Sequence, residues 1–254
     1  MSRYNHHVLE KKWLANWAQV PQLEQEFMAC TVYIPQENPS LGLENLRLLM
    51  LTDFFGVCAS GVKPHIQWIG AGEERLNQAL SFGIQVAPFS PEGTPYDLGI
   101  FPRDFTNLTP SIVCTESIFC GRFLDSTSVA EFLPDFGLDA LRLFFLFQGP
   151  PTRDYTLSWH SLAGAYRFIQ KIWELGQNRL TGQNSGEGEA LALLQFRVAQ
   201  RLQQKKPHTA LAAIMGFLRE KDSLSVDELH VVANLLSPYA PFLSAELLSL
   251  ITPI

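Results

Sequence analysis

The sequence predicts an α/β half followed by an all-α half, and two patterns carry that prediction. Up to about residue 114, short runs rich in β-branched and aromatic residues alternate with apolar helical runs, the order expected of parallel βαβ units. From residue 158 on, the apolar residues recur at helical spacing only.

Residues 4 to 18 place Val8, Leu9, Trp13, Leu14 and Trp17 at helical spacing, with Glu10, Lys11 and Lys12 between them, so an amphipathic opening helix is expected. CTVYIPQE has the bias of a buried strand over Thr31 to Ile34. ENLRLLMLTDFFGVCAS reads as a buried helix ending before Gly61, and VKPHIQWIG as the next strand, which gives strand, helix, strand. EERLNQALSFG adds a short helix stopped by glycine. VAPFSPEGTPYDLGIFPRDF is proline-rich and reads as an irregular surface connection, with a further strand around Ser111 to Cys114. SVAEFLPDFG and LDALRLFFLFQ predict a short helix and then a strongly apolar one with Asp139 near its start, ended by QGPPTRD. Helices are expected over residues 158 to 177, 189 to 205, 208 to 220 and 225 to 250, the first two separated by the flexible stretch TGQNSGEGE. The expected division is residues 1–148 and 149–254, with no internal repeat.

The 254 residues include 19 Lys and Arg against 25 Asp and Glu, a net charge of −6, so nucleic-acid binding would need a local basic face. Cys30, Cys58, Cys114 and Cys120 form no CxxC pair and have no histidine at a zinc spacing; reduced structural thiols are expected, with no metal and no cofactor. The opening MSRYNHHVLEKKWLANW lacks a signal-peptide core and no apolar run reaches the ~20 residues that span a bilayer, so a cytoplasmic protein without membrane partners is expected. His6, His7, His65, His160, His208 and His230 have no serine or cysteine partner at a recognisable spacing, and structural roles are expected for them.

The strand-to-helix junction NPSLGLENLRLLM is where an open α/β sheet builds a ligand site. It holds no glycine cradle, lysine or histidine. Its polar groups are Tyr33, Gln36, Glu37, Asn38, Glu44 and Asn45, opposite Trp68 and Glu73 at the next strand end. A carboxylate beside an aromatic ring in a cleft can act as a general base or bind an amine; capping of the helix start by Asn38 and Glu44 is the alternative. Gly70 and Gly72 are too few for a phosphate loop.

FGLDALRLFFLFQGPPTRDYTLSW followed by GAYRFIQKIWEL resembles the stretch of leucyl-tRNA synthetases that leads from the class I catalytic domain into the helical anticodon-binding domain. TALAAIMGFL, VVANLLSPYAPFLSAELLSLI and the opening YNHHVLEKKWLANW are similar to further segments of that family, in the same order. The resemblance implies a class I synthetase-like Rossmann core followed by an anticodon-binding-type helical bundle. The family's HMGH signature, aligned through Arg47 and Asp53, falls on Gly42, Leu43, Glu44 and Asn45, so both histidines are replaced. Its KMSKS loop falls on Ile118, Phe119, Cys120, Gly121 and Arg122, with no lysine. The family's large inserted editing domain has no counterpart here.

Amino-acid activation needs cationic or donor groups against developing phosphate charge, each often worth ~3 kcal/mol. Standard aminoacylation is therefore not expected. Three readings remain open. In the first, a non-aminoacylating paralogue binds tRNA or aminoacyl-tRNA, as an accessory or amino-acid-delivering protein, through a basic stripe of Arg167, Lys171, Arg197, Arg201 and Lys205; the alternative for these residues is a solvated helix face. In the second, an enzyme with a rebuilt pocket joins an amino acid or acyl group to a small acceptor, using Tyr33, Gln36, Asn38, Gly42, Glu44, Asn45, Asp53, Trp68 and Glu73. In the third, the chain binds a protein partner through Phe101, Phe105, Phe119 and Phe123, for which core burial is the alternative.

Overall fold

The computed structural model describes residues 3–18, 27–37, 40–90, 95–105, 112–125, 127–178 and 188–251. Its elements are α1 His6–Trp17, β1 Met28–Val32, α2 Leu43–Ser60, β2 His65–Ile69, α3 Glu73–Ser81, β3 Val86–Pro88, β4 Tyr96–Pro102, β5 Cys114–Cys120, a 3₁₀ turn Val129–Glu131, α4 Leu133–Phe147, α5 Trp159–Gln177, α6 Gly188–Gln203, α7 Pro207–Leu218, α8 Val226–Leu236 and α9 Pro241–Ile251. They form two compact units: Val20–Leu133 with Pro151–Leu157, and Met1–Gln19 with Pro134–Pro150 and Ser158–Ile254.

In the first unit, five parallel strands form one sheet in the order β3-β2-β1-β4-β5. The chain builds outward from β1 to β3, then returns to β4 on the other side of β1. This reversal makes the carboxyl ends of β1 and β4 the topological switch point, where open α/β sheets bind ligands. The helix α2 packs on β1 and β4 and is buried almost all round through Leu46, Leu49, Met50, Phe54 and Phe55, which explains its near-continuous apolar sequence. Gly61 ends it in the left-handed conformation, φ 75°.

Two expectations need correcting here. The stretch VAPFSPEGTPYDLGIFPRDF is no irregular connection: it holds β3 and β4, and β4 lies between β1 and β5. Only residues 89–95 join these parallel strands, where a crossover ordinarily takes a dozen or more, so the sequence lacks the helix that would mark a βαβ unit. Pro88 and Pro102 stand at strand ends, where a missing N–H costs no ladder bond inside the strand. The strand expected over Ser111 to Cys114 runs instead from Cys114 to Cys120.

The other unit gathers segments from both ends of the chain. The Tyr4 hydroxyl donates to Asp139 Oδ2 at 3.0 Å, and Glu10 Oε1 accepts the Leu138 N–H at 2.6 Å, so α1 and the start of α4 belong with the later helices. Asp139 also accepts the N–H groups of Phe242 and Leu243, at 3.3 and 2.7 Å, satisfying the free donors at the start of α9. Burial pushes Asp139 up to about 6 and Glu10 up to about 7. Gly137, φ 78° and ψ 172°, breaks the helical path between the short and the apolar parts of α4. A Cβ there would lie 2.7 Å from both Glu10 Oε1 and the His6 ring, so glycine is required for conformation and for space. His6 Nε2 lies 2.9 Å from the Pro134 carbonyl, a structural placement. The single helix expected over residues 225 to 250 is two, α8 and α9, separated by residues 237–240 before Pro241. No helix of the described residues is long and apolar enough to cross a membrane.

Candidate functional site

The switch point gathers the end of β1, the start of α2, and the residues after β4 and β5. Gln36 dominates the α2 entrance. Its Oε1 accepts the Gly42 N–H at 3.0 Å and an Asn45 Nδ2 hydrogen at 3.2 Å, while its Nε2 donates to the Ser40 carbonyl at 2.6 Å. A helix start offers N–H groups to anions; here a side-chain amide oxygen of the same chain holds one of them. Gly42 caps α2, and Gln36 fills the space where a Cβ would stand. Asn45 is buried and clamps the extended chain after β1: Oδ1 accepts Ile34 N–H and Nδ2 donates to Ile34 O, both at 2.8 Å. Both residues thus serve the junction's own backbone.

Glu44 lies in the first turn of α2 and receives both Nε and Nη2 of Arg122, the latter at 3.0 Å. Arg122 Nη1 reaches Asp104 Oδ2 at 2.5 Å, so the guanidinium is gripped from two sides. Hydrogen bonding to Glu44, then the charges of Glu44 and Asp104, hold Arg122 above its ordinary pKa. Asp154 accepts the Arg122 backbone N–H at 2.8 Å and pairs with Arg103 at 2.6 Å; these bonds hold its carboxyl below the usual range. The two arginines therefore share three carboxylates. Such an array can orient a small zwitterion, but its cationic charge is already compensated against phosphate.

Arg47 is buried one turn into α2. It donates to the carbonyls of Gly121, 2.7 Å, and Pro151, 3.0 Å, and lies over the Tyr155 ring at 5.3 Å, tying the turn after β5 to the segment 151–157. Burial lowers its pKa without removing its charge. Gly121 leaves no room for a Cβ against the backbone of Arg153 and Asp154.

The expected residues divide sharply. Tyr33 meets Trp68 edge to face with ring centroids 5.5 Å apart, and Gln36, Gly42, Glu44 and Asn45 form the network above. Trp68 is fully buried, and its Nε1 has no hydrogen-bond partner among the described residues. Asp53 does not belong to the site. It lies nine residues beyond Glu44, about 13 Å along the helix at 1.5 Å per residue, buried and paired with Lys63 at 3.5 Å. Glu73 stands exposed in the first turn of α3, where its charge suits the helix dipole. Asn38 lies outside the described residues. Arg103 and Asp104 were not legible as site residues because β4 itself was not, and Asp154 because it reaches them from the segment 151–157, distant in sequence.

The basic candidates also separate. Arg167 on α5 is exposed, whereas Lys171 donates to the Arg219 carbonyl at 2.9 Å. Arg197 and Arg201 are exposed one turn apart on α6. Lys205 does not continue their stripe, because α6 ends at Gln203 and Lys205 turns left-handed at φ 56°. Phe101 and Phe123 are buried and Phe105 stacks on Phe101 at 5.4 Å; of the four phenylalanines only Phe119, 40% exposed, is open to a partner.

No family model matches the chain. Among solved structures, an Agrobacterium radiobacter LeuRS in ternary complex with tRNA and LeuAMS shares the fold, with a TM-score of 0.52 and 17% identity over 62% of this chain and 28% of that one. The parallel sheet with its helices is thus that of a class I synthetase-like protein. Its curated relatives are leucine–tRNA ligases. Those of Borreliella burgdorferi and Borreliella afzelii are 29% and 30% identical over 124 and 121 residues, 46% and 45% of this chain. That of Nitratidesulfovibrio vulgaris is 29% identical over 162 residues, 52% of this chain. The chain spans 14 to 19% of the length of these relatives, so the similarity is to a part of each.

Proposed function

We propose that this paralogue does not carry out standard aminoacylation and binds tRNA or aminoacyl-tRNA through its helical unit, as an accessory or amino-acid-delivering protein. The observation that supports the first part is the occupied junction: Gln36 holds the Gly42 N–H, and Glu44 with Asp104 consumes the charge of Arg122. Glu44 also stands where the family's HMGH signature supplies a phosphate-facing group, and a carboxylate there repels phosphate. Support for the second part is the exposed Arg197 and Arg201 pair, which makes no ion pair among the described residues, together with the tRNA held by the structural relative.

Binding of bulk tRNA by fluorescence anisotropy, at about 50 and about 200 mM salt, tests the reading. Arg197→Glu and Arg201→Glu are expected to weaken binding at both. No binding at either salt overturns the tRNA part, and leucine-dependent pyrophosphate exchange overturns the non-aminoacylating part. A second reading, an enzyme joining an amino acid to a small acceptor, draws on the Arg103, Asp104, Arg122, Glu44 and Asp154 array; exchange dependent on an amino acid other than leucine would favour it.

A further inference from the structure

Between Ala190 and Arg219 the chain carries Arg197, Arg201, Lys205, Lys206 and Arg219 and not one Asp or Glu, although acids outnumber bases over the whole sequence, 25 to 19. Arg197 and Arg201 lie on α6, Lys205 and Lys206 between α6 and α7, and Arg219 at the end of α7. α6 buries only Leu191, Leu194 and Val198, a single stripe that packs against α7 and α8. At 100° per residue, Phe196 points almost opposite that stripe, with Leu193 and Gln200 beside it. Phe196 is 62% exposed and Leu193 46%. Arg197 lies about 100° and Arg201 about 140° round the helix from Phe196, on the same side of it, and both are exposed.

An aromatic ring held in water costs hydration free energy, and a helix that carries it within reach of arginines without an ion pair among the described residues has a specific complement. Nucleobases stack on aromatic faces, and the phosphates on either side of an unpaired base meet guanidinium groups. A protein partner would need acidic groups to match the arginines and an apolar patch wider than two side chains. A duplex would offer phosphates but no open base face to Phe196.

We propose that this face of α6 is a stacking platform for an unpaired base in an RNA loop, with Phe196 under the base and Arg197 and Arg201 at the flanking phosphates. The inference rests on the RNA-binding reading above and names the RNA element and the residue that takes it. Gln200, one turn from Phe196, lies within reach of a base edge and gives the platform its polar contact.

The test uses the full chain with three probes: bulk tRNA, a single-stranded oligouridine of about 12 nucleotides and an RNA duplex of the same length. Phe196→Ala is expected to weaken oligouridine and tRNA binding about tenfold while leaving the salt slope unchanged, and Phe196→Tyr to restore it. Arg197→Gln with Arg201→Gln is expected to reduce the slope of log K against log salt by about 1.4, at about 0.7 per phosphate. If tRNA binds but Phe196→Ala binds as tightly as the parent, the platform is refuted and the RNA reading survives. Duplex bound in preference to oligouridine also refutes it, as does a Phe196→Ala effect that appears only as loss of self-association in sedimentation. If no probe binds, both fall together. Phe196 is exposed, so unchanged thermal unfolding of the Ala variant will separate lost contact from lost fold.

Discussion

Glu10→Gln is expected to stabilise the protein at about pH 8 and to leave it unchanged at about pH 4.5. Desolvation pushes the Glu10 carboxyl from its ordinary 4.5 up to about 7, against the opposing hydrogen bond from Leu138 N–H. Because the folded value lies above the unfolded one, the folded protein keeps a proton that the unfolded chain has released. The associated stability is therefore complete below about pH 4.5 and is lost as pH rises through 7. The difference of 2.5, about 7 less 4.5, at about 1.36 kcal/mol per pH unit, amounts to about 3 kcal/mol lost by pH 8. Asp139, raised to about 6 by burial, acts in the same direction; its charge also raises Glu10, so the two contributions do not simply add. Glutamine keeps the oxygen that accepts Leu138 N–H and removes the titration. Urea unfolding of parent and variant at both pH values measures the effect, with a gain of about 2 to 3 kcal/mol expected at the higher one. A variant no more stable than the parent at pH 8 would sink the argument, because it would mean that the carboxylate is adequately solvated in the fold.

Gly137→Ala places a Cβ in a conformation that only glycine adopts easily and against the His6 ring, and a loss of at least about 3 kcal/mol is expected in urea unfolding; a loss under about 1 would show that α1 simply moves aside. Glu44→Gln exchanges a two-pronged ion pair for one neutral hydrogen bond, at an expected cost of about 1 kcal/mol that shrinks in molar salt. Combined with Asp104→Asn it frees Arg122 from both carboxylates, and calorimetry should then detect inorganic pyrophosphate binding that the parent lacks; equal heats for the two proteins would argue that Gln36, not charge, excludes phosphate.

The helices were legible because each carries its own signal. α2 ends at a glycine, and α5 and α8 open on Ser158 and Ser225, whose side chains accept N–H bonds from the first turn. β4 was hidden for a physical reason. Strand pairing is non-local, and the seven residues between β3 and β4 are too few to carry the usual local marker of a parallel neighbour, a full crossover helix. Losing β4 meant losing Arg103 and Asp104, and with them the sense of Arg122. The junction was located correctly as a polar strand-to-helix turn, but spacing along the chain could not show that Gln36 would fold back onto Gly42 or that Asn45 would clamp Ile34. Asp53 shows the converse error: it matched a motif position, yet helix geometry carries it away from the turn and into a pair with Lys63.

Glu44 and Arg122 are 78 positions apart in sequence, and the resemblance implies that they fall on the two signature segments. Their meeting across the switch point is what the topology dictates, since α2 follows β1 and Arg122 follows β5 on the same end of one parallel sheet. Two segments that both present donors or cations to a phosphate repel each other when the site is empty, and a bound anion relieves that repulsion. With a carboxylate on one segment and a guanidinium on the other, the attraction is satisfied internally and an anion must break it before binding. In this charge pattern the pair closes on itself, and opening the junction to an anion is expected to require changing more than one residue: Glu44 and Asp104 both hold Arg122, and Gln36 holds the N–H of Gly42, the residue that caps α2.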